Sequence, residues 1–206
     1  MARGLDHIVH AVRDLDAVAA LYRKLGFLVG ARNAHHRAWG TRNHIIQFSG
    51  TFIELLTVAD ASGIEPHTSR TFSFGAHNRD FLNGGEGLSM LVLQRLGGAD
   101  TDEFRTRKIG DFETYDFERE GKRPDGTPIK VAFSLAFARD PKAPEIGFFT
   151  CQHRYPENFW NPAFQVHPNT ASGVTSVVLV ANNLADHHIF LDRKSTRLNS
   201  SHSQQS

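Results

Sequence analysis

Apolar and polar positions near the start of the chain follow two periods, which predict a strand and then a helix. Leu5 to Val12 is mostly apolar and β-branched, as in a buried strand. Asp14 or Asp16 can cap the following helix, in which apolar positions from Val18 to Leu25 recur every three or four residues. Gly26 predicts a left-handed end to that helix. Further strands are predicted at residues 27–29, 43–48 and 51–58.

The same order of elements returns in the second half of the chain. A strand at 88–93 precedes a short helix, which Asp100 or Thr101 can cap and Gly110 can end. Further strands are predicted at 115–120, 129–138 and 146–152, with a turn-forming Arg-Pro-Asp-Gly-Thr-Pro between the first two. The intervening residues 61–86 are rich in Gly, Ser and Asn with three phenylalanines, and they predict a connecting loop or short helix over the core.

A glycine followed by an apolar strand recurs at Gly4, Gly87 and Gly173, which indicates a duplicated unit. We therefore predict an α+β fold in which residues 1–170 form one domain of two paired modules, at about 4–60 and 87–153. Residues 173–191 are predicted to begin a third module that is cut short. The tail at 192–206 lacks hydrophobic periodicity, resembles a translated sequencing-adaptor peptide, and is predicted to be disordered and foreign to the fold.

Composition excludes several classes of protein. The net charge of the 206-residue chain is +1, with acids and bases interspersed, so neither nucleic acid nor an anionic membrane is expected as a partner. No apolar run is long enough to span a bilayer. The single cysteine, Cys151, excludes an internal disulfide framework, and the N-terminus lacks the apolar stretch of a secretory signal. A cytoplasmic location is therefore expected.

Three segments carry a resemblance to a known superfamily. Leu-Asp-His-Ile-Val-His-Ala-Val-Arg-Asp-Leu, Tyr-Arg-Lys-Leu-Gly-Phe and Phe-Ile-Glu-Leu-Leu, within a repeated strand-helix-three-strand unit, resemble the vicinal oxygen chelate superfamily. The stretch from Phe148 to Trp160 resembles its glyoxalase-like domain proteins. The resemblance implies tandem βαβββ modules that form a cup-shaped mixed sheet flanked by helices, with a divalent metal at the floor of the cup.

The resemblance also implies which residues would bind that metal. His7 matches the histidine of the first strand, and Glu54 matches a carboxylate of the fourth strand. Imidazole with carboxylate suits Mn, Fe, Ni, Co or Zn. The second copy has Met90 at the position of His7, or Ser89 with a one-residue shift, and the third copy has Ser176. Gln152 or His153 is then the candidate third ligand; neighbours on a strand face opposite sides, so at most one of them can face the cup.

Each candidate also has a purely structural interpretation. His7 can simply form a hydrogen bond near a strand end, Glu54 can face water, and His10 is expected to pack against the helix. His44, Arg154 and Trp160 are candidates for the substrate pocket, with a solvated arginine and a packed tryptophan as the alternatives. His35 and His36 could line the cup, but a position on the surface is the expected one. Cys151 is expected to be a small buried group and not a nucleophile.

Two functions are compatible with these residues. The first is a metal-dependent lyase, isomerase or dioxygenase that acts on a small organic substrate. The second is a metal-free small-molecule-binding module of the bleomycin-resistance type, and the absence of a histidine at the position of Met90 favours it. An inactive fragment of a longer enzyme is a further alternative. Dimers are common in the resembling superfamily, so a homodimer is also expected.

Overall fold

The computed structural model describes residues 3–122 and 126–194 and confirms the predicted α+β class. Eight strands form one curled sheet in the order β2-β3-β4-β1-β5-β8-β7-β6. The strands are β1 Leu5–Ala11, β2 Asn33–Ala34, β3 Thr41–Phe48, β4 Thr51–Val58, β5 Gly87–Gln94, β6 Tyr115–Lys122, β7 Pro128–Ala138 and β8 Gly147–His153. The helices are α1 Leu15–Lys24, α2 Phe74–Gly84, α3 Asp100–Thr106, α4 Pro156–Phe159 and α5 His188–Lys194.

Each half of the sheet is built from one strand-helix-three-strand unit. In the first unit β1 is parallel to β4, and in the second β5 is parallel to β8. The two units meet where β1 pairs antiparallel with β5. The first strand of each unit lies at the centre of the sheet, where β1 and β5 pair, and β4 and β8 lie directly beside them. Residues of β1, β4, β5 and β8 therefore form the floor of the concave face.

The first helix forms where it is predicted, but Leu21 and Leu25 of its predicted apolar face are exposed, and Leu15 and Ala19 are its buried residues. Asp14 is the N-cap, and its side chain accepts a hydrogen bond of 2.9 Å from the Ala17 amide. Gly26 follows the helix with a φ of 83°, a left-handed conformation that favours glycine. The prediction of a strand at 27–29 is wrong, because the chain is irregular there. The Gly30 amide donates a single hydrogen bond to the Ile45 carbonyl, and regular strand pairing begins only at β2.

The cap predicted for α3 is also wrong. Ala99 occupies the cap position without a side-chain hydrogen bond. The Asp100 carboxylate is buried instead, where it accepts hydrogen bonds from Arg3 at 2.9 Å and from Thr150 at 2.6 Å. A buried carboxylate requires such partners, and the guanidinium provides a stronger one than the helix amides.

The concave face is largely filled by α2 and the segment that leads into it. Phe72 and Phe74 pack with Trp39 against the inner side chains of both units, including Val9 and Phe149. The connection between the units is thus the predicted helix over the core. It fills one part of the cup and leaves a small cavity beside it.

The convex face carries α1, α3 and an extended C-terminal segment. Val174, Val177 and Leu179 pack on the apolar clusters of this face, while Val178 and Val180 are exposed. The strand predicted from Gly173 does not form, because residues 171–181 lie across the sheet and do not pair with its edge. The third module stays a prediction.

Two predicted features fall beyond the described ranges. Residues 123–125 of the predicted hairpin tip and residues 195–206 of the predicted foreign tail lie outside the described residues. Within the described part of the chain, no helix is both long and apolar enough to cross a membrane.

Candidate metal centre and cavity

A cavity of about 70 Å³ opens on the concave face beside α2. Its polar lining consists of His7, Asn33, His35, Asn43, Glu54, Arg119 and Cys151. Its apolar lining consists of Trp39, Ile45, Phe52, Phe74, Phe117, Phe133, Leu135, Phe149 and Phe159. The cavity thus combines an aromatic wall with a few convergent polar groups, as small-molecule sites do.

His7 lies on β1 and is fixed on both sides. Its ring stacks on Phe52 of β4, with centroids 4.2 Å apart and planes 13° apart. Its Nδ1 contacts Asp6 Oδ1 at 2.6 Å, so this nitrogen carries the proton and donates a hydrogen bond to the carboxylate. The other nitrogen, Nε2, is therefore free to bind a metal or to accept a proton.

A β-bulge makes the contact between these two neighbours possible. Leu5 and His7 pair with consecutive residues of β5, which leaves Asp6 as the extra residue of the ladder. Without the bulge, Asp6 would face the opposite side of the sheet from His7. With it, Asp6 is 3% exposed and its carboxylate meets the His7 ring.

Glu54 is a buried carboxylate that faces two imidazoles. It is 5% exposed; its Oε2 lies 3.8 Å from His7 Nε2, and its Oε1 lies 3.7 Å from His35 Nε2. Asn43 donates a hydrogen bond from Nδ2 to Glu54 Oε1. The structure therefore brings together the two residues that the sequence predicts as ligands.

His35 is a site residue that the sequence analysis placed on the surface, and that prediction is wrong. Its Nδ1 contacts Thr41 Oγ1 at 2.7 Å and its Nε2 lies 3.2 Å from Asn43 Nδ2. Since Asn43 Nδ2 is a donor, His35 Nε2 accepts and Nδ1 carries the proton. Burial lowers the pKa of His35; the Glu54 charge opposes this effect, and Arg119 and His36 add to it.

A second group lies next to His7. Among the described residues, Asp6, Cys151 and His153 form the one group of at least three possible metal ligands whose donor atoms all lie within 4.8 Å of one another. His153 Nε2 contacts Asp6 Oδ2 at 3.2 Å. Burial raises the pKa of Asp6, but hydrogen bonds from His153 and His7 outweigh it and hold the pKa below its ordinary value. Burial raises the pKa of the Cys151 thiol well above its ordinary value, which agrees with the predicted lack of nucleophilic character.

The second unit offers no ligand at the positions that match His7 and Glu54. Glu54 pairs with Val9, which is two residues after His7. In the second unit, Val92 is two residues after Met90, and it pairs with Phe149. Both Met90 and Phe149 are buried in the concave core. Gln152 and His153 thus lie three and four residues beyond the position that corresponds to Glu54.

The remaining predicted residues are placed as follows. Gln152 is exposed, while its neighbour His153 turns inward, as strand alternation requires. The prediction that His44 lines the pocket is wrong. His44 pairs with Leu55, lies on the convex side of the sheet, and its Nδ1 contacts the Gly30 carbonyl at 2.7 Å. Arg154 is half-exposed and pairs with Asp116. Trp160 stacks on His153, with centroids 5.3 Å apart.

The donors around Glu54 are of the types that bind a divalent ion. Ligand atoms about 2.1 Å from one ion lie roughly 3.0 to 3.4 Å apart, and each histidine lies within a few tenths of an ångström of that distance from Glu54. The two contacts use different carboxylate oxygens, and the three donor atoms do not all lie within 4.8 Å of one another, so the side chains must move closer together to share one ion. Asn43 is among the residues that line the cavity, and its Oδ1 is buried without a hydrogen-bond partner among the described residues. Such an orphaned oxygen is itself a suitable ligand for a hard cation, or an acceptor for a bound molecule.

A larger surface groove of about 400 Å³ lies elsewhere, between Arg13, Arg32 and Arg42. Its arginines include Arg13, which pairs with Glu86, and Arg32, which pairs with Asp16. Histidine is absent from the residues that line it, so the smaller cavity is the better candidate for chemistry.

One solved structure agrees with the fold, and two others match more weakly. A hypothetical protein from Staphylococcus aureus matches with 18% identity and a TM-score of 0.55. The match covers 74% of this chain and 59% of that protein, so this chain spans less than two thirds of its length. A variant methylmalonyl-CoA epimerase from Streptomyces coelicolor, in complex with 2-nitronate-propionyl-CoA, matches with 17% identity and a TM-score of 0.48, over 73% of this chain and 97% of that chain. The Mycobacterium tuberculosis methylmalonyl-CoA epimerase matches with 19% identity and a TM-score of 0.46, over 72% and 86% of the two chains.

A search of curated proteins finds no match. The family model described as the glyoxalase-like domain matches residues 5–194, which is nearly the whole chain. The chain therefore belongs to the glyoxalase-like domain family of the vicinal oxygen chelate superfamily.

Proposed function

We propose that the protein is a divalent-metal-dependent enzyme that acts on a small organic substrate, as a lyase, isomerase or dioxygenase. One observation carries the proposal: the buried Glu54 carboxylate lies between the Nε2 atoms of His7 and His35 at the edge of a cavity. An isolated buried carboxylate is costly unless it is paired or binds a metal. Two imidazoles and one carboxylate form a ligand set that leaves coordination positions open for a substrate.

The roles of the individual side chains follow from their contacts. His7 and Glu54 would hold the ion, and His35 is our choice for the third ligand because its Nε2 lies 3.7 Å from Glu54 and it lines the cavity, which His153 does not. When bound, the metal acts as a Lewis acid that stabilises negative charge on a substrate oxygen. Asp6 fixes the tautomer and orientation of His7, and Asn43 holds the Glu54 carboxylate. The surrounding aromatic rings exclude water from the reacting atoms.

Metal-binding measurements on matched variants test this proposal. We expect the metal-stripped full chain to bind one Mn²⁺ or Zn²⁺ in calorimetry, and His7→Ala and Glu54→Gln each to reduce the affinity by at least about 100-fold. Cys151→Ser changes the neighbouring group of Asp6, Cys151 and His153. This variant should keep the affinity of the parent. Loss of metal in Cys151→Ser alone would transfer the centre to that neighbouring group and contradict the assignment.

A metal-free binding module is the second candidate. The apolar Met90 and Phe149 favour it, because half of the expected ligand positions cannot bind a metal. In that case the purified protein would bind small molecules in the cavity with the same affinity after chelator treatment, and none of the divalent ions would bind stoichiometrically.

A further inference from the structure

Arg119 is the one arginine or lysine among the described residues that line the cavity. It lies on β6, where side chains alternate between the two faces of the sheet. Phe117 and Arg119 face the cavity. The alternate residue Glu118 faces the other way and pairs with Lys130 at 3.0 Å. The acids next to Arg119 in sequence are therefore on the wrong side to neutralise it.

The cavity itself does not provide an anion for Arg119. Within the described ranges, Arg119 has no ion pair and no hydrogen bond, and it is half-buried. Glu54 is the one acid that lines the cavity, and its carboxylate is already bonded to Asn43 and faces the two histidines.

An unpaired guanidinium in an aromatic cavity has a definite chemical preference. Removing a charge from water costs free energy, and burial lowers the pKa of Arg119 for this reason. A bound anion would recover that free energy. The planar fork of a guanidinium matches a carboxylate with two parallel hydrogen bonds, which gives both strength and orientation.

We propose that Arg119 binds the carboxylate of the substrate, and that the substrate is a small organic acid with a further oxygen directed toward His7, His35 and Glu54. The inference rests on the proposed function for the role of that second oxygen. The cavity volume of about 70 Å³ limits the size of the enclosed part. Longer parts of a ligand must extend through the mouth.

Pyruvate and its neutral analogue pyruvamide are suitable probes. The two differ by the carboxylate and keep the neighbouring keto oxygen. Binding can be followed by the fluorescence of Trp39, which lines the cavity, in both metal-stripped and Mn²⁺-loaded full-length protein. We expect pyruvate to bind more tightly than pyruvamide, and Arg119→Gln to weaken pyruvate binding by at least about tenfold while leaving pyruvamide unchanged.

Matched variants separate this role from a structural one. Arg119→Lys keeps the charge but not the fork and should give an intermediate affinity. Arg105→Gln removes an arginine that pairs with Asp111 on the surface, and it should bind pyruvate like the parent. Unfolding curves of all variants show whether the fold is retained.

The outcomes distinguish the two proposals. Equal binding of the two probes by the parent, no binding of pyruvate, or unchanged pyruvate binding in Arg119→Gln would overturn the role of Arg119, whatever the protein does with metal. Carboxylate-selective binding that depends on Arg119 but occurs in a protein without affinity for Mn²⁺ would support this role and reject the metal centre.

Discussion

At the scale of single residues, Asp6 determines how His7 is presented. Its carboxylate contacts His7 Nδ1 at 2.6 Å and His153 Nε2 at 3.2 Å, so one anion orients two imidazole rings. Carboxylates that bond the outer nitrogen of a metal-binding histidine fix its tautomer and raise its basicity. Asp6 therefore has a larger effect on the candidate centre than its position near the start of a strand suggests.

We expect Asp6→Asn to reduce Mn²⁺ affinity by about 10- to 100-fold, the usual effect of losing such an orienting carboxylate. The amide provides one oxygen where two were used, and it does not hold the charge that favours the His7 proton on Nδ1. Calorimetric titration of the metal-stripped protein measures the change. Asp116→Asn alters a carboxylate away from the cavity and is the control. Equal affinity in the parent and Asp6→Asn would contradict an orienting role.

The sequence predicts only part of this residue-level arrangement. His7 and Glu54 follow from the resemblance, and the structure brings them to 3.8 Å. Asp6 was missed because strand alternation assigns it to the other face, and a bulge has no reliable signature in sequence. His35 was missed because it follows a strand of only two residues. The one feature of the sequence that could have indicated its position is the polar Asn43, which pairs across the β2–β3 hairpin with Asn33, two residues before His35.

At the scale of elements, the start of α2 is docked through a close backbone approach. A Cβ built on Gly75 would lie 2.3 Å from the Trp39 carbonyl oxygen, whereas one built on Gly84 at the other end of the same helix meets nothing within 4 Å. The two glycines therefore have different roles. Gly75 lets the helix approach Trp39 closely, and Trp39 in turn lines the cavity.

We expect Gly75→Ala to lower the free energy of unfolding by about 1 to 3 kcal/mol, because the backbone oxygen cannot move aside without shifting Trp39. Gly84→Ala should leave stability unchanged or raise it by up to about 1 kcal/mol, since alanine favours the helical conformation. Urea unfolding of the two variants measures the difference. Equal stability of the pair would show that α2 is not held by this contact.

Element boundaries were predictable where the hydrophobic period decided them. β4 forms where its continuous apolar run predicts a strand that is buried on both faces, and α1 forms where apolar positions recur at helical spacing. The cap of α3 was not predictable, since Asp100 serves a distant arginine, Arg3, that adjoins it only in the folded chain. The segment after Gly173 has the apolar content of a strand but uses it to pack on the convex face.

At the scale of the whole molecule, buried histidines connect stability to pH. Burial lowers the pKa of His10, His35, His36, His67 and His77. A group with a lowered pKa in the folded state takes up its proton more readily in the unfolded chain. The stabilisation is therefore fully present above a pH of about 6.5, the ordinary value for histidine, and is lost as the pH falls toward the folded pKa.

We expect the free energy of unfolding to decrease as the pH is lowered from about 7 to about 5. His77, which is 6% exposed and contacts the Ser89 carbonyl, is a suitable residue to change because it lies outside the cavity. His77→Gln should flatten the decrease, whereas His188→Gln, at an exposed position, should leave it unchanged. Urea unfolding at a series of pH values measures both. An identical slope in the parent and His77→Gln would reject the contribution of this histidine.

Because Met90 and Phe149 are apolar, substitutions in the two halves of the sheet affect different properties of the cavity. The first half provides His7, Glu54 and His35, while Met90 and Phe149 at the matching positions of β5 and β8 contribute only volume and shape. Exchanges among apolar side chains in β5 and β8 can therefore remodel the space around a ligand without touching the polar groups of β1 and β4. A directed-evolution library confined to the apolar positions of β5 and β8 would therefore vary selectivity while the candidate ligands and Arg119 stay constant.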